Sequence, residues 1–251
     1  MNILVTNDDG INAKGLRSLV NELSKIADVY IIAPEGERSA NSHHITISGR
    51  IRYELVEVEN AKKAYAVWGT PADCVHGGIR HFIKDKIDLI VSGINRGPNL
   101  SSDIIYSGTI AAAREGYLQG IPSMAVSLCD FEAKDYELAA VYARQIALKY
   151  LEIKDNTHYF ISVNIPNNDD IKGILICDKV VNINYRDEFV EEIEDGKNYI
   201  NIKGIDRIID YDRNDLRIDL SAIEANYISI SPLANMHISR NHIDSIKILE
   251  K

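Results

Sequence analysis

A chain of 251 residues, 45% hydrophobic and 26% charged, has the make-up of an ordinary water-soluble globular protein. Its net charge of -9 argues against bulk binding of duplex nucleic acid, which needs clustered Lys and Arg, but leaves room for one phosphate in a pocket. Cys74, Cys129 and Cys177 are too scattered for a disulfide framework or a cysteine zinc site. No apolar run is long enough to span a bilayer, and no basic segment followed by an apolar core is seen at the start. A cytoplasmic location without a membrane partner is therefore expected.

Ile3-Leu4-Val5 predicts a short buried strand over residues 2–6. It runs into Asn7-Asp8-Asp9-Gly10. Adjacent carboxylates at the end of a buried strand repel one another and lose solvation. A hard cation relieves both costs, and carboxylate oxygens suit Mg²⁺, Mn²⁺ or Ca²⁺. The plain alternative is an Asx-rich turn that caps the following helix. From Lys14 to Ile26 the apolar residues fall at helical spacing, with Leu16, Leu19, Val20 and Leu23 on one face. Val29 to Ala33 is a second buried strand, so the pair is parallel with a right-handed crossover.

Pro34 to His44 reads as a long polar loop at the carboxyl end of that strand, a position where functional loops occur. Extended structure is expected from Ile45 through Glu59 and again over Ala64–Trp68. Thr70 caps a helix with Pro71 at its first position, running to about Phe82. Ile87 to Val91 is the next strand, followed by the Gly- and Asn-rich stretch Ser92 to Asn99, read as a loop. Ser107-Gly108-Thr109 precedes an Ala-rich helix, and small polar residues at a helix N-terminus form an anion site. Ser123–Leu128 and Tyr159–Ile165 are strands on either side of a helix over residues 135–150.

After about residue 170 the pattern changes to alternating stretches around Ile174–Ile183 and Ile200–Ile205, read as hairpins. The acidic run Glu191 to Gly196 is expected to be a solvated turn. Tyr227–Leu233 is a late strand, and Arg240–Glu250 has helical apolar spacing. The fold expected is α/β: a doubly wound, mostly parallel sheet over residues 1–170, with a smaller β-rich extension over residues 171–251.

Asp8 and Asp9, then Ser39, then Asn95 lie at carboxyl ends of the expected strands, the edge where open α/β sheets bind ligands. All four offer oxygen ligands, which with water and a phosphate oxygen complete the shell of a divalent ion. A hard cation beside the Ser107-Gly108-Thr109 cradle points to metal-assisted hydrolysis of a phosphate ester. His43-His44 is a poor zinc pair, because sequence neighbours rarely share one ion. They are read as loop or substrate-contact residues.

Asn7-Asp8-Asp9-Gly10, Ala33-Pro34 with Arg38-Ser39, Gly69-Thr70-Pro71-Ala72-Asp73, Ser92-Gly93-Ile94-Asn95-Arg96-Gly97-Pro98-Asn99 and Tyr106-Ser107-Gly108-Thr109 together resemble the SurE family, the stationary-phase survival protein nucleotidases. The resemblance runs in order from Met1 to about Ser127 and resumes at Tyr227–Leu233. It implies a Rossmann-like core with a β-rich extension, association as homodimers or homotetramers, and metal-dependent removal of phosphate from nucleoside monophosphates. That activity is a 5′-nucleotidase, with 3′ phosphates a further substrate class. The resemblance places the metal, Mg²⁺ or Mn²⁺, on Asp8, Asp9, Ser39 and Asn95. It places phosphate contacts on Asn99, Ser107, Gly108 and Thr109. Asp8 or Asp9 would orient or deprotonate the attacking water. The chain departs from the family at His44, usually Ser, and at Ser101 and Asn226, commonly Gly.

Two other functions share parts of this pattern. A phosphatase with an aspartyl-phosphate intermediate needs one Asp free as nucleophile, whereas both here are committed to metal. A non-catalytic nucleotide-binding module needs the cradle but no metal set with positions open to water.

Overall fold

The computed structural model describes residues 1–154 and 156–234. The strands are β1 (Asn2–Thr6), β2 (Asp28–Pro34), β3 (Tyr53–Val56), β4 (Lys63–Val67), β5 (Leu89–Arg96), β6 (Ser123–Leu128), β7 (Phe160–Ile165), β8 (Ile174–Ile176), β9 (Asn184–Glu194), β10 (Lys197–Ile208) and β11 (Ile228–Leu233). The helices are α1 (Lys14–Leu23), α2 (Pro71–Gly77), α3 (Gly108–Leu118), α4 (Glu137–Leu151) and α5 (Asp219–Glu224). The result is an α/β fold: a nine-stranded sheet in the order β3-β4-β2-β1-β5-β6-β7-β11-β8, and a separate β9–β10 hairpin.

Strands β4, β2, β1, β5, β6 and β7 are mutually parallel. The chain winds outward from β1 through β2 to β4, then returns to β5 and winds the other way. Strand order therefore reverses between β1 and β5, and a crevice opens at their carboxyl ends. The alternation of side chains along β1 builds both layers. Ile3 and Val5 join Leu16, Leu19, Leu23 and Ala143 of α1 and α4 in one core. Leu4 points the other way and joins Cys74, Val75 and Ala112 of α2 and α3. β1 is buried on both faces for this reason, which explains its unbroken apolar run.

Helix α2 starts as expected. The Thr70 hydroxyl accepts from Asp73 N–H at 3.1 Å, and Asp73 accepts in return from Thr70 N–H at 3.0 Å. The helix ends at Gly77 and passes into a single π-type turn over Gly78–Phe82.

The structure differs from the sequence reading in several places. Residues 45–52 form no strand, and Ile47 is 94% exposed. Thr46 instead bonds Asp73 through both its N–H and its hydroxyl, at 2.8 and 2.9 Å, tying the stretch to the start of α2. β5 does not stop at Val91 but continues to Arg96, so Asn95 sits on a strand rather than in a free loop. Its register against β6 shifts between Ser92 and Asn95, where Gly93 lies so close to β6 that a Cβ would stand 2.3 Å from the Val126 carbonyl oxygen.

Ile174–Ile176 is not part of a hairpin either. It pairs parallel with β11 at the edge of the main sheet. The true hairpin is β9–β10, closed by Asp195 and Gly196 with φ of 52° and 75°, the backbone that a two-residue turn requires. Only the end of the acidic run is turn, since Glu191–Glu194 belong to β9. α5 had no expectation at all. The helix expected over Arg240–Glu250 lies outside the described residues.

Candidate active site

The turn after β1 is folded by Asn7, whose side chain donates to the Gly10 carbonyl at 2.9 Å and accepts from Gly10 N–H at 3.2 Å. This sets Asp8 and Asp9 at the crevice. Asp8 is only 4% exposed. Burial pushes its carboxyl up from the ordinary 3.8 to about 6, the Thr109 hydroxyl that donates to it pulls the other way, and the Asp9 charge pushes it further up. Asp9 is raised by burial as well, opposed chiefly by Arg96, whose N–H donates to it at 3.1 Å. Glu37 adds to that rise. The sequence reading passed over Glu37; its place two residues before Ser39 was the available signal.

Asn95 reaches the same point from β5. Its amide nitrogen donates to the Gly97 carbonyl at 2.8 Å, which turns Oδ1 toward the Thr109 hydroxyl, 3.4 Å away. One hydroxyl therefore stands between the Asp8 and Asn95 oxygens. Ser39 is exposed, and its hydroxyl donates to Glu37 at 2.9 Å rather than to Asp8, Asp9 or Asn95. Its loop nevertheless touches the site, because Arg38 N–H donates to the Asp8 carbonyl at 2.7 Å.

Ser107 caps α3, accepting from Ile110 N–H at 3.1 Å. Gly108 packs its backbone on Asp8, where a Cβ would lie 3.0 Å from Asp8 Oδ2. The anion position at the start of α3 thus faces a carboxylate of the protein itself, and the helix dipole favours the charged form there.

Asn99 is buried. Its amide donates to the Ser127 hydroxyl at 2.8 Å, its N–H to Asn164 Oδ1 at 2.9 Å, and Asn164 returns a bond to the Asn99 carbonyl at 3.1 Å. The sequence reading missed Ser127 and Asn164. Their signal was polarity inside fully buried strands. Ser101 and Asn226, the two positions noted for departing from Gly, both have positive φ, 53° and 65°. Ser101 is held there by buried Asp219, which accepts from its N–H and its hydroxyl, each at 2.6 Å.

The donors at this edge are carboxylate, amide and hydroxyl oxygens, which fit a hard divalent ion. Among the described residues no group of three His, Cys, Asp or Glu side chains could hold a metal, so neutral oxygens would have to complete the shell of the Asp pair. A cavity of about 370 Å³ opens beside Asp9, lined by Glu37, Arg96, Lys134 and Tyr136 among others. It is large enough for the remainder of a small phosphate ester.

Replacing Thr109 by Val tests this geometry. The variant leaves a buried carboxylate without its hydroxyl donor, so the metal-free protein should lose on the order of 1–3 kcal/mol. The Asp8 carboxyl should move further up, and divalent-ion affinity should fall with it. Denaturant unfolding without metal reads the first effect and calorimetric titration with Mn²⁺ the second. No change in either would reduce Thr109 to a helix residue.

A model of the family described as survival protein SurE matches residues 3–186. The 5′-nucleotidase SurE of Clostridium botulinum strain Alaska E43 is 39% identical over 243 residues, 93% of each chain. The protein of the same description from Clostridium beijerinckii is 41% identical over 244 residues, 93% of this chain and 92% of the relative. The crystal structure of the SurE protein from Aquifex aeolicus superposes with a TM-score of 0.84 at 32% identity, covering 100% of both chains.

Proposed function

The chain belongs to the survival protein SurE family, and on that premise we propose that it is a 5′-nucleotidase that depends on a divalent metal. The observation that carries the metal reading is Asp8: a buried carboxylate next to a second one, at the point where strand order reverses, in contact with Thr109 and within one hydroxyl of Asn95. Such a pair is unfavourable alone and is relieved by a cation.

In this reading Asp8, Asp9, Ser39 and Asn95 hold Mg²⁺ or Mn²⁺. Such an ion polarises a phosphoryl oxygen and lowers the pKa of water. Asp8 or Asp9 would orient the attacking water and receive its proton. In the metal-free chain the Thr109 hydroxyl is given to Asp8; with the ion on Asp8, Thr109 would join Asn99, Ser107 and Gly108 in facing the phosphate. Asn164 fixes the Asn99 backbone. The cavity beside Asp9 takes the nucleoside, and 3′ phosphates are a second substrate class. Residues 1–170 form the catalytic core in the cytoplasm. Residues 171–251 extend it and join subunits into a homodimer or homotetramer. Exposed Phe189, Ile193, Ile200 and Ile202 on the hairpin support that role. Light scattering at micromolar concentration should give a multiple of the chain mass, and a monomer mass would overturn the assembly.

The decisive assay is phosphate release over a panel of nucleoside monophosphates. Turnover should appear with Mg²⁺ or Mn²⁺ and stop with EDTA, and solvent oxygen label should enter the phosphate in a single turnover. A trapped aspartyl-phosphate would favour the covalent phosphatase. Tight nucleotide binding without turnover would favour the regulatory module.

A further inference from the structure

Glu115 is a buried carboxylate on α3 that the proposed chemistry does not use. Its two oxygens face two histidines from different elements. Oε2 is 3.0 Å from His43 Nε2, in the loop between β2 and β3. Oε1 is 3.0 Å from His76 Nδ1, on α2, and also accepts from Gln119 at 3.1 Å. These bonds, the one from His43 foremost, hold the Glu115 carboxyl down near 2 against its burial. The three side chains are not a metal site, since none is found among the described residues. They form a hydrogen-bonded bracket.

Residues 35–52 contain neither helix nor strand, yet they carry Ser39. A stretch of that length keeps one conformation only where it is fastened. Its later half is tied to the start of α2, where Thr46 bonds Asp73 and the Thr70 hydroxyl donates to the His44 carbonyl at 2.6 Å; the other fastenings lie near Ser39. Arg38 N–H donates to the Asp8 carbonyl, and Ser42 donates through its N–H to Tyr106 and through its hydroxyl to the Ile105 carbonyl, at 2.9 and 2.8 Å. His43 adds a side-chain bond from this loop to α3, the helix whose first turn carries Gly108 and Thr109. Its carboxylate partner is 6% exposed, so water competes little for the bond.

We propose that His43 is a positioning residue: through Glu115 it locks the Ser39 loop onto α3 and so sets Ser39 in register with Asp8. The proposal rests on Ser39 belonging to the site. His76 supplies its natural control. It bonds the same carboxylate at the same distance, but from α2, and holds no part of the loop.

Three variants decide the matter: His43→Ala, His76→Ala and His43→Gln, the last keeping an N–H donor at similar reach. Each alanine variant removes one histidine bond from Glu115, so a role in stability alone predicts comparable losses of Tm and equal kinetics. The positioning role predicts that only His43→Ala speeds amide exchange in residues 35–46, by about tenfold or more. It also predicts that this variant alone weakens Mn²⁺ binding and lowers kcat/KM roughly 10- to 100-fold. His43→Gln should recover most of both. Equal behaviour of the two alanine variants, or an unaltered loop in His43→Ala, would overturn the proposal. Exchange and Mn²⁺ titration need no turnover. A wild-type protein that released no phosphate would therefore refute the nucleotidase reading while leaving His43 to be decided on the loop.

Discussion

Asp8→Asn is expected to lower phosphate release by on the order of 10²–10³-fold or more and, at the same time, to stabilise the metal-free protein. The two effects share a cause. The Asp8 carboxyl sits at about 6 in the folded chain against an ordinary 3.8, chiefly through burial. Below about pH 4 the group is protonated in both folded and unfolded chains and costs nothing. Between there and pH 6 the folded chain keeps a proton that the unfolded chain has released, so stability falls as pH rises. Above that window the penalty is complete, at about 3 kcal/mol.

Asparagine keeps an oxygen acceptor for Thr109 and carries no charge, so the variant escapes the penalty. With EDTA at pH 7.5 it should melt several degrees above the parent chain, taking about 2–4 °C per kcal/mol for a chain of this size. At pH 4 the gap should close. With Mg²⁺ or Mn²⁺ it should reverse, because only the carboxylate gains from the ion. Calorimetry under these three conditions tests the assignment without an activity assay. A variant no more stable than the parent in EDTA at pH 7.5 would show that Asp8 is not held against its ionisation.

Gly15→Ala should have the largest effect on folding. Alanine favours a helix over glycine by about 1 kcal/mol, so helix propensity alone predicts a stabler α1. The packing predicts the opposite. A Cβ on Gly15 would lie 2.1 Å from the Ile94 carbonyl oxygen and 3.2 Å from Tyr136 Cδ1. The first is backbone of a buried strand and cannot swing aside. α1 must lift from β5, and the cost should be about 3 kcal/mol or more. The displaced strand carries Asn95 next to Ile94, so activity should fall even in the folded fraction. Gly36→Ala is the control, since a Cβ there meets nothing within 4 Å. Urea unfolding with equal midpoints for the two variants would contradict the close approach.

Much of this molecule is written in local pattern. The apolar run of β1, the single buried face of α1 and the Thr70-Pro71-Asp73 start of α2 each concern a few neighbouring residues, and each appears where its spacing predicts. Asp8, Asp9, Ser39 and Asn95 stand out as a candidate ligand set because a βαβ alternation places strand ends on one edge, although the Ser39 hydroxyl turns to Glu37 in the fold. What tertiary structure decided is which distant partner each polar group meets. Thr109 donates to Asp8 across 101 residues, Asn164 holds Asn99 across 65, and Glu115 holds His43 across 72. No local spacing encodes such pairs. Burial imposes them, since a polar group that leaves water must find its partner among whatever groups the packed layers bring near. The same reason explains β5 and β8. The run through Gly93 looks like a loop until β6 lies against it, and Ile174–Ile176 is too short to choose between a hairpin and the open edge that β11 offers. Periodicity tells a segment which side to bury, but the strand beside it is chosen only when the sheet closes.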